Sequence, residues 1–314
     1  MLLQNEDKQI ISRAVGSEIS VRYLYRGLWQ ISTPARQSWV FKKITLPSLH
    51  FLWWSKVSQD LNFRHFYGMP NFFLLKNGWL TSFIVGQNCT YKSVTEAKAC
   101  VRRLASFHCS GYRVAIKAKK KRPLLFAARM KRRLANFYRL SKAQVSGRLG
   151  VILKQQGPQF YFEGLKSWDL LCRLNYQAYC TDCWQERLLT HRDLASHNFM
   201  IDKNNKTWLI DFETAEYDAQ IGDLGQVITR ILAMHKWSAE LFKVLLKAYE
   251  AIMPLNAYQH EILLLLLRFP NEFFREALGL AERKPGYNPK KTMAYLEKLI
   301  AENHYRHSLI HSLS

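Results

Sequence analysis

Four polar residues in one short stretch set the chemistry open to this chain: His191, Asp193, Asn198 and Asp211, with Asp223 a little beyond them. In order they read His191-Arg192-Asp193-Leu194, then Asn198, then Asp211-Phe212 after a short apolar run. A carboxylate able to take a proton from a hydroxyl, followed by an amide oxygen and a second carboxylate able to share a hard cation such as Mg²⁺, is the equipment of phosphoryl transfer. The spacing fits the pattern H-R-D-L-x-x-x-N followed by D-F.

These residues need elements to hold them. Phe199-Met200-Ile201 and Trp208-Leu209-Ile210 are apolar runs divided by Lys203-Asn204-Asn205-Lys206, which predicts a β-hairpin. Closing the turn between Asn204 and Asn205 sets Asn198 opposite Asp211, with Asp193 on the loop that enters the ribbon. Any one of these residues alone reads as a loop tie or a cap; all four in register with a hairpin read as a site.

Composition bounds what surrounds it. A chain of 314 residues with 48% apolar content can bury a substantial core. The start, Met1 to Asp7, lacks the basic then apolar pattern of a signal peptide, and the longest aliphatic run, Ile262 to Leu267, is far short of the roughly 20 residues of a membrane span. A cytoplasmic protein is expected. The six cysteines are then expected to be reduced, and Cys180-Thr181-Asp182-Cys183, without a second such pair, reads as core thiols rather than a zinc site.

The net charge is +22, and between Glu96 and Glu163 there is no acidic residue at all. Twelve lysines and arginines run from Lys117 to Arg148. Such a field draws anions, whether nucleic acid, an anionic surface, an acidic protein or a phosphorylated substrate; the bland alternative is a solvated helical face with a loop.

Toward the N-terminus, Val21 to Tyr25, Leu28 to Thr33 and Ser38 to Ile44 alternate with turn residues as an antiparallel meander does. Trp39-Val40-Phe41-Lys42 has the apolar-apolar-Lys form of a strand whose lysine reaches nucleotide phosphates, and alternation sends Lys43 to the other face. No G-x-G-x-x-G is present, and Gly27 supports a phosphate-covering loop only weakly. A helix is expected over about Ser48 to His65; it offers no glutamate to pair with Lys42, leaving Asp60 as the candidate acid. Asn71 to Leu75 and Trp79 to Val85 bracket an Asn-Gly hairpin signal, so Thr81 to Val85, with Phe83 and Val85, falls where a hinge backbone would meet an adenine ring.

Ser93-Val94-Thr95-Glu96 predicts a capping box opening a helix that runs to Gly111. Composition shifts from strand-like to helix-like near Gly86, giving an N-terminal nucleotide-binding lobe over residues 1–86, a hinge at about 82–90 and a helical lobe over 87–314 that contains the basic segment 113–148. Helical periodicity recurs in Phe162 to Trp184, from Asp223, and in Ala239 to Ile252, Tyr258 to Arg268, Glu272 to Ala281 and Lys291 to Glu302. The histidines from His235 to His311 read as surface or satisfied groups.

His191 to Asn198, Leu209-Ile210-Asp211-Phe212-Glu213-Thr214-Ala215, Asp223-Leu224-Gly225 and, upstream, Leu104 to His108 together resemble the spore-coat (CotS-type) kinase-like family, a branch of the aminoglycoside phosphotransferase and choline kinase group. The resemblance runs from about Tyr23 to Leu245. It implies an α+β, two-lobed protein-kinase-like fold with a small antiparallel-sheet N-lobe and a larger, mainly helical C-lobe, ATP and Mg²⁺ as cofactors, and a place in the cytoplasm or coat of a spore-forming bacterium. Carried over by position, Asp193 resembles the catalytic base, Asn198 and Asp211 the metal ligands, Lys42 the phosphate-binding lysine, and Asp223 with His191 the support of the loop. Glu213 in place of the glycine of D-F-G is similar to what this branch carries.

The expected function is an ATP-dependent phosphotransferase acting on a hydroxyl of an anionic or macromolecular acceptor. A pseudokinase adaptor working through the basic face is the alternative, motivated by the missing helix glutamate, and nucleic-acid binding through residues 113–148 is a weaker third.

Overall fold

Alternating apolar and polar residues build the upper lobe. The computed structural model describes residues 2–25, 27–44, 49–119, 122–284 and 286–313. Helix α1 (Asn5–Val15) is followed by strands β1 (Ser20–Tyr25), β2 (Leu28–Ser32) and β3 (Ser38–Lys43), helix α2 (Leu49–Phe63), and strands β4 (Phe72–Leu75) and β5 (Gly78–Ser82). The strands form one antiparallel sheet in the order β1-β2-β3-β5-β4. The expected meander is present, and β4 and β5 close across Lys76-Asn77 with Leu75 opposite Gly78.

The period of two in β3 decides what each sheet face does. Phe41 shares a small core with Trp29, Ile31, Leu80 and, from the N-terminal segment, Leu3 and Ile11. Lys43, on the same face as Phe41, binds Asp7 at 2.9 Å and Gln4 at 2.7 Å, fastening α1 to the sheet. That helix was not anticipated from the sequence. Lys42 points the opposite way, across from Trp79, whose ring lies 5.4 Å below its ammonium. On this side Phe51 of α2 meets Trp79 at 4.3 Å. The expected helix start, Ser48, lies outside the described residues, as do Arg26, Lys120 and Lys121.

The connection to the lower lobe is a change of sheet. Strand β6 (Gly86–Asn88) leaves β5 and pairs antiparallel with the segment Phe199–Asp202. The backbones approach so closely that a Cβ on Gly86 would collide with the Ile201 carbonyl oxygen, a position that calls for glycine.

The lower lobe is helical: α3 (Val94–Ser110), α4 (Phe126–Lys142), α5 (Gly147–Arg173) and α6 (Tyr176–Gln185) precede the segment that carries His191, Asp193 and Asp211, and α7 (Gln220–Leu232), α8 (Ala239–Glu250), α9 (Ala257–Arg268), α10 (Asn271–Ala281), α11 (Pro289–Ala301) and α12 (Asn303–Leu313) follow it. At the start of α3, Ser93 accepts the Glu96 amide as predicted, but the Glu96 carboxylate takes the amide and hydroxyl of Thr90 instead of closing the box. The periodic stretch Phe162 to Trp184 is two helices, because Asn175 turns left-handed (φ 52°) between α5 and α6. Between α6 and α7 run the short strands β7 (Leu189–Thr190), β8 (Phe199–Asp202), β9 (Thr207–Leu209) and β10 (Glu216–Tyr217). Strands β7 and β10 pair, and β8 lies between β6 and β9.

Candidate active site

The hairpin β8–β9 forms, with a register one residue different from the sequence expectation. Phe199 faces Leu209 and Ile201 faces Thr207, so Asn198 lies opposite Ile210, whose amide donates to the Asn198 carbonyl at 2.9 Å. The reason is the turn. It is a three-residue loop with Asn205 left-handed (φ 58°), and the Asp202 carboxylate accepts the amides of Asn204 and Lys206 and the Trp208 indole. Asp211 therefore stands one residue past the pair. It takes a left-handed conformation itself (φ 64°, ψ 68°) and is exposed.

Beneath the loop the polar groups are closed off. The buried Asp223 accepts the His191 amide at 2.6 Å and the Arg192 amide at 2.9 Å, and meets His108 Nε2 at 3.3 Å. His108 in turn reaches the Tyr249 hydroxyl at 2.7 Å. Burial opposes the Asp223 charge, but His108, His191 and these amides hold its carboxyl below the ordinary range; burial pushes His108 down. His191 Nε2 meets the Ile210 carbonyl at 2.9 Å and so ties the loop to the end of the hairpin. Arg192, left-handed at φ 71°, is the residue on which the chain turns.

Above that frame the side chains face the cleft. Asn198 donates its Nδ2 to the Asp193 carbonyl at 2.9 Å, which commits the amide nitrogen and leaves the oxygen as donor to a cation. The Asp193 side chain is 44% exposed, and its Oδ1 lies 3.6 Å from Arg230 Nη1. One amide oxygen and one open carboxylate, completed by phosphate oxygens and water, is a donor set that fits Mg²⁺. Among the described residues no three His, Cys, Asp or Glu side chains gather into a metal cage. Cys180 and Cys183 are buried free thiols, the latter pushed up to about 12 chiefly by burial.

Asp60 does not pair with Lys42. It lies near the end of α2, ion-paired to Arg64 Nε at 2.8 Å one turn on, and the Arg64 guanidinium reaches the carbonyls of Ser110, Tyr112 and Arg113 just past α3. Lys42 binds Glu213 instead, two residues past Asp211. Burial raises the Glu213 carboxyl, Lys42 pulls it down, and the neighbouring Asp211 charge raises it again. The sequence carried a signal for this pairing: an acid where D-F-G has glycine. In place of a helix acid, α2 carries aromatic anchors. Trp54 stacks on Phe212 at 4.5 Å and 14°, and Trp53 meets Tyr217 edge-on at 5.0 Å.

Of the hinge candidates, Thr81 and Ser82 are sheet residues paired with Val40 and Trp39, and the Phe83 amide donates to the Ser38 carbonyl at 2.9 Å. Those amides belong to the sheet or its edge. Val85 is 67% exposed at the crossing between lobes.

Residues 89–260 match the model of the phosphotransferase enzyme family (APH), more than half of the chain. The chain belongs to that family. Solved structures share the fold across nearly the whole of this phosphotransferase. An aminoglycoside phosphotransferase from Alicyclobacillus acidocaldarius superposes with a TM-score of 0.80 at 15% identity, covering 100% of this chain and 96% of that one. A spectinomycin phosphotransferase in complex with ADP and spectinomycin gives 0.62 at 13%, covering 95% of each chain. The choline kinase LicA from Streptococcus pneumoniae gives 0.53 at 13%, covering 97% and 100%. At these identities the likeness is one of fold. No described helix of the phosphotransferase is long and apolar enough to cross a membrane.

Proposed function

We propose that this phosphotransferase uses ATP with Mg²⁺ and transfers the γ-phosphoryl group to a hydroxyl of its acceptor. The observation that carries the reading is the reach of Lys42, from the upper sheet, to Glu213 on the segment that begins at Asp211. It sets a phosphate-binding cation against the carboxylate end of the hairpin, while Asn198, bonded to the Asp193 carbonyl, links that end to the base. Mg²⁺, held by Asn198 and Asp211, would supply charge neutralisation for the phosphates. Asp193 accepts the acceptor's hydroxyl proton as that oxygen bonds to the γ-phosphorus; the bond from the γ-phosphorus to the bridging oxygen breaks, and ADP leaves. Lys42 would bind the α- and β-phosphates, and the backbone around Phe83 to Val85 the adenine. A spectinomycin phosphotransferase of this fold binds ADP, which supports the nucleotide.

The adaptor reading rests on the missing helix glutamate, and Glu213 supplies Lys42 with a carboxylate from another element. Membership of the spore-coat branch, with a cytoplasmic or coat location, is proposed on the sequence motifs alone: those around His191 and Asp211, Asp223-Leu224-Gly225 and Leu104 to His108. Calorimetric titration tests the nucleotide reading. ATP is expected to bind with Mg²⁺ and to lose most of its affinity without it or in Asp211→Asn, whereas metal-independent affinity unchanged in Asp211→Asn would defeat the assignment.

A further inference from the structure

The basic run found in the sequence divides when it folds. Several of its members pair with acids of other elements: Lys119 with the buried Glu216, and, at the surface, Arg113 with Glu186 and Arg148 with Glu297. Arg129 and Arg133, one turn apart on α4, do something different. Arg133 hydrogen-bonds a neutral partner, Asn271. Arg129 stands against the like charges of Arg192 and Arg133, with Asp218 and Asp223 as weaker opposing influences. Burial drives both guanidinium groups down to about 10, against the opposite pull of Glu272 on Arg133.

Arg230 completes the group from α7, more than nine-tenths buried and 3.6 Å from Asp193. Its other near acid, Glu272, lies 3.6 Å from Nε and is already engaged by Arg275 at 2.6 Å. Arg192 Nε stands 3.9 Å from Asp218. Among the described residues, Arg129 Nη1, Arg192 Nε and both Nε and Nη1 of Arg230 are buried without a hydrogen-bond partner. A buried donor left without a hydrogen bond is costly, so each favours an acceptor that arrives. Guanidinium groups are the side chains that best match phosphate and carboxylate oxygens. Of these, Arg230 lies 3.6 Å from Asp193, where an acceptor must bring its hydroxyl, and Arg129 belongs to the same group of charges through Arg192 and Arg133.

We propose that the acceptor is a hydroxylated small molecule bearing an oxyanion, phosphate or carboxylate, which docks on Arg129 and Arg230 while its hydroxyl meets Asp193. This rests on the kinase reading for the identity of Asp193 and on the arginines for the charge of the ligand. The same wall repels a cationic acceptor such as a quaternary ammonium.

The test separates the two readings. The full chain is saturated with the non-hydrolysable ATP analogue AMP-PNP and Mg²⁺, so that the nucleotide's own phosphate site is filled, and inorganic phosphate, acetate and choline are titrated in turn by calorimetry. Phosphate or acetate is expected to bind, the tighter of the two naming the oxyanion, and choline is not. Arg129→Gln and Arg230→Gln are each expected to weaken that anion roughly ten-fold or more. Arg129→Lys, which keeps the charge, recovers part of the affinity, and Arg132→Gln, on the exposed side of α4, leaves it unchanged. Anion affinity equal in wild type, Arg129→Gln and Arg230→Gln, or no anion binding, or tighter binding of choline, overturns the inference. Failure of AMP-PNP to bind would fall on the kinase reading instead, and the arginine site would then be decided by whether Arg129→Gln and Arg230→Gln still weaken the anion relative to wild type and Arg132→Gln.

Discussion

The two sides of the Asp193 loop are built on opposite rules. Below it, Asp223 gathers two loop amides and His108, and His108 is closed by Tyr249, so charge and hydrogen bonds balance inside the protein. On its other side, Arg129, Arg192 and Arg230 hold buried nitrogens that make no hydrogen bond among the described residues, although acids stand 3.6–3.9 Å from those of Arg192 and Arg230. The closed side can only position, since its groups have no capacity left for a ligand. The open side carries guanidinium groups with hydrogen-bonding capacity still unused, which under our proposal an incoming anion would fill. Rigidity and receptiveness are thus separated by the thickness of one loop, with the proposed base between them.

The largest expected effect breaks the closed side. Asp223→Ala strands two amides and a histidine in a buried space and should lower unfolding free energy by about 3–5 kcal/mol in urea titration. A loss below 1 kcal/mol would mean that the frame beneath the loop is not held as described.

Asp218 sharpens the comparison from the open side. Burial holds its carboxyl up at about 6, from an ordinary 3.8, against the opposite pull of Arg192. A raised acid binds a proton in the folded chain that it releases when unfolded, so stability present at low pH declines as pH rises from about 4 through 6. A rise of that size corresponds to about 3 kcal/mol at most. Wild type should lose stability across that window relative to Asp218→Asn, and parallel pH profiles for the two would remove the assignment.

Smallest is the lysine pair. Glu213→Gln is expected to reduce kcat/KM about ten-fold, near 1.4 kcal/mol, while Asp60→Asn leaves it within about two-fold. The reverse ranking would return the lysine's acid to α2.

Much of this was legible in advance, for physical reasons that differ by element. Strand alternation fixed the opposite directions of Lys42 and Lys43, because a period of two leaves no freedom. The hairpin was evident from its composition, but its register depended on whether two residues or three close the turn, which the left-handed Asn205 and the Asp202 side chain decide. Asp60 misled because an acid on the right helix says nothing of its reach, and Arg64 one turn away claims it. The arginine wall was hidden in a run of like residues. Arg129 and Arg133 look the same in sequence as the exposed Lys131 and Arg132, and only the packing of α4 against its neighbours, α10 among them, separates them.

The central claim is that Asp193 serves as the base of a kinase centre, and the most direct measurement compares wild type with Asp193→Asn in a cell extract supplied with γ-labelled ATP and Mg²⁺. The account predicts label on an acidic small molecule with wild type and a loss of roughly 10²–10⁴-fold in its rate of appearance with Asp193→Asn, at unchanged Mg²⁺-ATP affinity. Equal labelling by both proteins, or no label from a wild-type protein that binds Mg²⁺-ATP, would contradict it.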